Sequence, residues 1–500
     1  MRCRGEKEMG ELICAGWLLD GTGEQHKDWG ILFQGQQVRD VGPATELLQT
    51  YPDSKVREEP GWVIAPGYLD AHDHGRALSP FWFGVKDCPL ELWIPRLGQV
   101  AVPVYEAALY DGIQLAKSGV TTVVHCHNPM NIAKMKEELL DTVRGYLDAG
   151  VRVALCPPYT DQNSLIYTGR EEFSQTLEPD CVEVFSRMIQ DEPMTLQEYF
   201  ALVEELKQEL AEEIQQKRVD VQLHPVGGQW CSDQALCEMR DYARKHGMRI
   251  HMHLLETKYQ RIYSEKRWGK TMVSHMEDLG VLGPWLTIAH GIWLTAKDRR
   301  LLRDKRVKTV TNPSSNLRLG SGIFPLREML DERIPCAVGL DGCSLDDDQD
   351  YGRELRLALH NPAIPGIRGQ ITPREIWNMA YQAGVQAVGS GLSPGRLQKG
   401  DLADFICFDG KVLDGPYASE SLTWEEKILQ RGSRMSVAAV YCGGKLIVER
   451  GKSCSGKEDQ AAKRVGQFAQ EKAKQGQPAN EKLIHKIARF YTEWEEEQER

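Results

Sequence analysis

Short apolar runs of strand-forming residues alternate with longer, helix-forming stretches through most of this 500-residue chain. Eight such runs occur, one directly before His72 and seven at residues 119–125, 152–156, 219–224, 249–253, 286–290, 308–311 and 336–341. Eight strand–helix units of this kind predict an α/β fold, a (β/α)₈ TIM barrel. An open, doubly wound sheet is the alternative, but no Gly-x-Gly-x-x-Gly motif follows any of these runs.

Shorter strand patterns divided by turns stand near both ends of the chain and predict one further domain. We expect a small β-sandwich domain built from residues 11–64 and 396–452, with the barrel in residues 65–395. An insertion at residues 157–217 contains a strongly charged helix and is expected to form a lid or an oligomer surface. Residues 453–500 are predicted to be a polar helical tail without a catalytic role.

Composition restricts the class of protein. A hydrophobic content of 41% is typical of a soluble globular protein, and a net charge of −11 argues against a nucleic-acid surface. No apolar run reaches the roughly 18 residues of a membrane span, and the charged N-terminus does not resemble a signal peptide. Thirteen cysteines without a Cys-x-x-Cys pair favour reduced thiols. We therefore expect a cytoplasmic homo-oligomer, dimer or tetramer, with a small-molecule substrate and no nucleic-acid or membrane partner.

Histidine spacing is the strongest functional signal. The chain has 13 histidines, and chance predicts only about 0.3 His-x-His pairs at that frequency. Three pairs are present, His72/His74, His125/His127 and His251/His253. Residues two apart on a strand share a face, and all three pairs lie at strand ends, so they can converge at one barrel mouth. Converging imidazoles suit one divalent cation, Zn²⁺ or another first-row metal such as Fe²⁺ or Mn²⁺.

Several segments carry recognisable motifs. They are Pro-Gly-Tyr-Leu-Asp-Ala-His-Asp-His at 66–74, Gly-Val-Thr-Thr at 119–122, His-Leu-Leu-Glu-Thr at 253–257, Ala-His-Gly at 289–291, Asn-Pro-Ser-Ser-Asn at 312–316, Gly-Leu-Asp-Gly at 339–342 and the segment 392–404. In this order they resemble the amidohydrolase superfamily, specifically its mononuclear deaminase and chlorohydrolase branch. That branch includes guanine, cytosine, S-adenosylhomocysteine and triazine aminohydrolases.

The resemblance implies a set of metal ligands. His72 and His74 would bind the metal from the first strand, and Asp341 would bind it from the last strand while acting as the general base. On the fifth strand the family's His-x-x-Glu spacing, which His253 and Glu256 match, selects His253 and not His251 as the ligand. The fourth strand, at residues 219–224, lacks the lysine that the two-metal branch carboxylates, which favours a single metal.

The resemblance also implies catalytic roles for two further residues. Glu256 would protonate a ring nitrogen and relay protons to the leaving group. His290 would lie beside the catalytic water and polarise it or the substrate. For each residue a structural role, in a helix cap or a satisfied core, is the alternative.

Candidate substrate contacts follow from departures from the family pattern. Gln229 could recognise the edge of a heterocycle and Trp230 could stack on it. His125 and His127 could line the pocket or support it from behind, and Asn316 is a further candidate contact. The acidic loop at residues 346–350 is expected by default to cap a helix.

We therefore predict a metal-dependent amidohydrolase that deaminates a nitrogen heterocycle, or displaces an amine from it, by means of an activated water. A hydrolase that opens a cyclic amide, similar to a hydantoinase or imidazolonepropionase, is the enzymatic alternative, and it would release a new carboxylate instead of ammonia. A catalytically silent scaffold is the alternative from a different class. That hypothesis predicts missing ligands, and none is missing from the sequence.

Overall fold

The computed structural model describes residues 9–99, 102–162, 165–189, 194–342, 348–361, 363–389, 391–475 and 480–499. Its central strands form two four-stranded parallel sheets. The first contains Tyr68–Asp73, Val120–Cys126, Arg152–Cys156 and Val219–Val221, and the second contains Ile250–Leu254, Leu286–His290, Lys308–Thr311 and Cys336–Val338. Every predicted central run therefore holds a strand, and neighbouring strands follow chain order, which confirms the α/β class.

Contacts at two edges join these sheets. Leu223, two residues beyond the last strand of the first sheet, pairs in parallel with Ile250 of the second sheet. At the opposite edges the backbone N–H of Asp341 donates a 2.8 Å hydrogen bond to the carbonyl oxygen of His72. The carboxyl ends of the first and last strands therefore lie side by side.

Helices lie between successive central strands and also follow the last one. The longer ones are Val104–Lys117, Met135–Ala149, Asp233–His246, Lys258–Trp268, Ala296–Asp304 and Tyr351–His360. Shorter helices are Leu90–Trp93, Met272–Asp278, Pro313–Arg318, Leu326–Asp331, Pro373–Asn378 and Gly384–Val388. Local sequence explains their ends. The Ser232 hydroxyl accepts the Ala235 N–H at one helix start, and Gly247 ends that helix with a φ of 65°.

Strands from both chain ends hydrogen-bond into one nine-stranded sheet. They are Glu11–Leu19, Gln25–Lys27, Trp29–Gln34, Gln37–Pro43, Lys55–Pro66, Phe405–Asp409, Val437–Cys442, Lys445–Glu449 and Lys452–Ser453. The two ends meet where Lys55–Pro66 pairs antiparallel with Phe405–Asp409. Both ends therefore contribute to one sheet, whereas two layers packed as a sandwich stay a prediction.

The insertion and the C-terminal segment are largely helical. Helices in the insertion are Arg170–Ser174, Pro179–Met188, Leu196–Glu209 and Ala211–Gln215, so the predicted charged helix is interrupted at Leu210. The C-terminal segment forms Glu458–Gln475 and Glu481–Glu499. The last helix is packed against the protein, because Leu483, Ile487, Tyr491 and Trp494 are buried. Within the described residues, no helix combines the length and apolarity needed to span a bilayer.

A buried ion pair links the end sheet to the central strands. Arg152 donates to Asp404 through Nε at 2.7 Å and through a terminal nitrogen at 3.0 Å, and both side chains are at most 2% exposed. Asp404 also accepts the Gly443 N–H. Such a bidentate pair fixes the orientation of both elements, and removing one charge leaves the other buried without a counter-charge.

We expect Asp404→Asn to destabilise the protein by about 3 kcal/mol or more, because Arg152 would remain buried and unneutralised. The measurement is the midpoint of thermal unfolding, which should fall by about 3 °C or more. The matched control is Glu183→Gln in the exposed pair Arg187–Glu183, whose side chains are 66% and 69% exposed. Equal shifts for the two variants would contradict the structural role of the buried pair.

Candidate metal centre and active site

Four buried side chains meet at the carboxyl ends of the first, fifth and eighth central strands. Asp341 Oδ1 lies 3.3 Å from His72 Nε2 and 3.2 Å from His74 Nε2. His74 Nε2 lies 3.3 Å from His253 Nε2. The structure therefore brings together the four residues that the sequence predicts as metal ligands, in a cluster that could hold a metal ion.

Hydrogen bonding behind the rings fixes which nitrogens face the centre. His74 Nδ1 lies 2.7 Å from the carbonyl oxygen of Cys126, and His253 Nδ1 lies 2.7 Å from that of Val226. A carbonyl oxygen only accepts, so each Nδ1 carries the hydrogen and each Nε2 presents a lone pair. The buried His72 Nε2 has no hydrogen-bond partner. The lone pairs of His74 Nε2 and His253 Nε2 face each other at 3.3 Å and repel. A cation between these two nitrogens removes the repulsion.

Burial keeps the His72 and His253 rings neutral. It lowers the pKa of His72 to about 4 and holds the pKa of His253 well below its ordinary value. Neutral imidazoles with one carboxylate form the donor set of a mononuclear catalytic zinc site, which keeps a position open for water. The residues present therefore fit a single divalent cation.

The second histidine of the fifth strand supports this cluster from behind. His251 Nε2 lies 2.9 Å from His72 Nδ1, and Cys126 Sγ lies 3.4 Å from the same nitrogen. His251 therefore orients His72, as ligand-supporting residues commonly do. The three His-x-His pairs do not all converge, because the centre receives both members of the first pair and only His253 of the third.

Glu256 and His290 lie beside the cluster. His290 Nε2 is 3.7 Å from Glu256 Oε2 and 3.9 Å from Asp341 Oδ2. Burial raises the pKa of Glu256 to about 7. Asn316 Oδ1 lies 3.1 Å from His290 Nδ1, so this amide oxygen accepts the ring N–H and holds the ring in place. Asn316 thus contacts His290, and it does not line the cavity described below.

Backbone strain marks the same strand ends. Asp341 has a φ of 62° and His290 a φ of 71°, and Leu255, beside Glu256, has a φ of 52°. Non-glycine residues rarely adopt this left-handed conformation, and such outliers cluster at functional sites. At each of these three positions the conformation turns the backbone sharply, at the point where a functional side chain must face the centre.

A cavity of about 270 Å³ opens above the cluster. His74, His253, Glu256, His290 and Asp341 line its floor. The larger part of its lining is apolar, from Leu90, Trp93, Ile94, Leu97, Pro129, Ile132, Met135, Pro158, Tyr159, Met194, Val226, Trp230 and Leu319. A concave, mostly apolar pocket over a few convergent polar groups is the usual form of a small-molecule site.

The structure separates the predicted substrate contacts. Trp230 and His127 line the cavity, whereas His125 lies behind it, with Nδ1 3.1 Å from the Tyr146 hydroxyl. Gln229 lines a neighbouring cavity of about 840 Å³. In the acidic loop at residues 346–350, residues 346 and 347 lie outside the described residues, and Asp350 caps the helix Tyr351–His360 as expected.

Two residues near the site were not predicted from the sequence. His224 lines the cavity, and its Nδ1 donates to the His251 carbonyl oxygen at 2.6 Å, so its Nε2 is an acceptor. Glu91 is buried and accepts hydroxyl hydrogens from Thr257 at 2.5 Å and from Tyr167 at 3.0 Å. The sequence feature that could have indicated His224 is the His-Pro pair after the fourth strand. For Glu91 it is the presence of an acidic residue inside the otherwise apolar segment Leu90–Trp93.

Comparison with known proteins identifies the class. Residues 63–447 match the amidohydrolase family. A 5'-deoxyadenosine deaminase of Methanosarcina acetivorans is 26% identical over 433 residues, covering 84% of this chain and 90% of the relative. A 5-methylthioadenosine/S-adenosylhomocysteine deaminase of Thermococcus sibiricus is 28% identical over 420 residues, covering 80% of this chain and 86% of the relative.

A solved structure of an adenosine deaminase from Xanthomonas campestris with bound zinc superimposes with a TM-score of 0.76 at 19% identity. The match covers 93% of this chain and 98% of that one. At this identity the likeness shows the fold, which is of the TIM-barrel type. Fold and site together define a hydrolase with a His/His/His/Asp centre that could hold a metal. The chain belongs to the amidohydrolase family, which confirms the resemblance found in the sequence motifs.

We expect the purified protein to contain about one divalent metal per chain, and His74→Ala to lower that content to below about 0.2. Loss of one ligand breaks the convergence that favours the cation, so added Zn²⁺ should no longer raise the unfolding temperature. Metal content by mass spectrometry and thermal unfolding with and without chelator measure both effects. His485→Ala, in the exposed part of the last helix, is the control. A His74→Ala protein that keeps one tightly bound metal would contradict the assignment.

We expect the stabilising effect of Glu91→Gln to grow with pH. Burial raises the pKa of Glu91 to about 7, against hydrogen bonds from Thr257 and Tyr167 that lower it. A raised folded-state pKa gives stability that is fully present below the unfolded value of about 4.5 and is lost as pH rises through about 7. The glutamine side chain cannot ionise, so Glu91→Gln keeps the free energy of unfolding that the unchanged protein loses as pH rises. The difference is about 3 kcal/mol at most. Unfolding temperatures of the two proteins from pH 5 to pH 9 measure it. A difference that is independent of pH would contradict the raised pKa.

Proposed function

We propose that this protein is a mononuclear metal-dependent hydrolase that deaminates a nitrogen heterocycle. The observation that carries the proposal is the placement of Glu256 and His290 beside the His72/His74/His253/Asp341 cluster, at the floor of one cavity. The deaminase names of the relatives from Methanosarcina and Thermococcus support the same reaction class.

We propose zinc as the metal. The donor set suits it, and a structural neighbour from Xanthomonas campestris contains zinc. Fe²⁺ and Mn²⁺ share the preference for such ligands, so metal analysis decides between them. A bound divalent cation supplies an activated water as nucleophile at neutral pH.

The side chains divide the proton transfers. We assign Asp341 as the base that takes a proton from the attacking water, since its carboxylate lies within 3.9 Å of His290 Nε2 and faces the centre. Glu256 holds a proton near neutral pH because burial raises its pKa to about 7, so it can protonate a ring nitrogen. His290, held by Asn316, lies between these two carboxyl groups and stabilises the charge that develops there.

His224 and Trp230 complete the proposed site. With its Nδ1 hydrogen donated to the His251 carbonyl, His224 offers an acceptor on its Nε2 for an N–H of the heterocycle. Trp230 supplies aromatic surface at the wall of the cavity. We do not place Gln229 at the reacting ring, because it lines the neighbouring cavity.

We also propose the domain division. The contacts Leu223–Ile250 and Asp341–His72 at the sheet edges support a closed (β/α)₈ barrel in residues 65–395. The nine-stranded sheet supports a separate β unit of residues 11–64 and 396–452. The proposed reaction would take place at the carboxyl ends of the barrel strands, where active sites of this fold lie.

The test of the reaction is product analysis. Amino-substituted purines, pterins, pyrimidines and triazines are incubated with the metal-loaded protein, and released ammonia and new carboxylate are measured separately. Ammonia from at least one heterocycle, dependent on metal, supports deamination. Carboxylate without ammonia would replace this proposal with ring opening of a cyclic amide.

We expect Glu256→Gln to lower kcat by at least about 100-fold while one metal per chain is retained, because the amide cannot transfer a proton. Steady-state ammonia release and metal analysis of the same preparation measure the two properties. Glu265→Gln, in the following helix Lys258–Trp268, is the matched control and should keep normal activity. Loss of the metal from Glu256→Gln would show that Glu256 is a ligand and that its assigned role is wrong.

A further inference from the structure

The wall of the active-site cavity contains few polar side chains. Among the described residues, its polar groups above the floor are the side chains of Arg76, His127, Asn128, Thr160 and His224, the Tyr159 hydroxyl and the Trp230 Nε1–H. The other lining side chains above the floor are aliphatic, aromatic or proline. No carboxylate of a described residue lines the cavity apart from Glu256 and Asp341 at its floor.

Protein partners already occupy three of these polar groups. Arg76 donates a 2.6 Å hydrogen bond to Asn128 Oδ1, and its guanidinium lies 5.5 Å from the centre of the Trp93 ring. The Thr160 hydroxyl donates to the Trp230 carbonyl oxygen at 2.7 Å. A substrate group that bonds to the Asn128 Oδ1 or takes the Thr160 hydroxyl hydrogen would compete with bonds that the protein makes to itself.

His127 is occupied on both ring nitrogens. Its Nε2 lies 3.3 Å from Glu138 Oε2, and its Nδ1 lies 3.4 Å from His125 Nε2. Glu138 is itself held by the backbone N–H groups of Met130 and Asn131 at 2.9 and 2.8 Å. His127 therefore presents carbon atoms to the cavity, whichever ring carries the hydrogen shared by the two histidines.

These observations deepen the proposed deamination, on which they rest. We propose that the substrate is an uncharged amino-heterocycle carrying an apolar substituent, with the ring at the floor and the substituent against the wall formed by Trp93, Ile132, Met135 and Leu319. The mostly apolar lining favours such a substituent over a ribosyl group or a zwitterionic side chain.

The energetic reason is desolvation. A substituent hydroxyl that leaves water without a new partner weakens binding, and a charged group weakens it more. An alkyl or aryl group instead binds more tightly as its apolar surface is removed from water. The wall of the cavity therefore favours an alkyl or aryl substituent over a hydroxylated or charged one.

Matched substrates test this inference. For each ring that the protein deaminates, an N-butyl derivative is compared with the dihydroxybutyl and ribosyl derivatives. We expect kcat/KM for ammonia release to be at least 10-fold higher for the butyl compound. Equal or better turnover of the hydroxylated compounds would overturn the inference while leaving the proposed deamination intact.

Binding without turnover separates the two proposals. Calorimetry on the Glu256→Gln protein with the same compounds should give a Kd at least 10-fold lower for the butyl derivative. If no heterocycle releases ammonia but this binding preference is found, the proposed function fails and the assignment of the pocket stands. Tighter binding of the ribosyl or charged compounds would overturn the assignment directly.

A variant of the wall provides the specificity control. Ile132 lines the cavity and is 39% exposed, so Ile132→Asn should leave the fold and the metal content unchanged. We expect it to reduce the preference for butyl over dihydroxybutyl by at least 3-fold. Ile367→Asn, at an 87% exposed isoleucine that does not line the cavity, is the matched control. An unchanged preference in Ile132→Asn would contradict selection by this wall.

Discussion

The Nε2 atoms of three imidazole rings converge on one point, and much of the surrounding structure holds them there. His74 Nδ1 is hydrogen-bonded to the carbonyl oxygen of Cys126, and His253 Nδ1 to that of Val226. His72 Nδ1 contacts His251 Nε2. These three partners come from different segments of the chain, so the arrangement of the histidines exists only when the strands of both sheets are assembled. Without a cation these nitrogens repel, which couples the stability of the folded centre to metal binding.

The β/α pattern and the motif spacing made the strands and most of the site predictable from the sequence. Strand ends place residues two apart on one face, which is enough to propose His72 and His74 as neighbours, whereas Asp341 was predicted as a ligand from the resemblance to the family. Spacing alone could not choose between His253 and His251. That choice depends on depth within the assembly, where one ring reaches the centre and the other stacks 5.1 Å behind His72.

The remaining features depend on contacts between segments distant in sequence. His125 appears equivalent to His72 in local sequence, but it contacts Tyr146, 21 residues away, and lies outside the cluster. Glu91 reads as an exposed acid in a short helix, yet two hydroxyl groups more than 70 residues away bury and satisfy it. Gln229 and Trp230 are neighbours in the chain, but they lie within the turn at residues 228–230 and line different cavities. No local pattern encodes these outcomes.

The C-terminal helix acquires a role through the same long-range contacts. The Tyr491 hydroxyl accepts the backbone N–H of Tyr167, and the Tyr167 hydroxyl in turn donates to Glu91. Glu91 also accepts from Thr257, the residue after Glu256 and the N-cap of the helix that follows it. The helix Glu481–Glu499 is therefore connected by three hydrogen bonds to the turn that carries the proposed proton donor. A segment with polar composition can thus fix a buried carboxyl group, provided that its apolar side is covered.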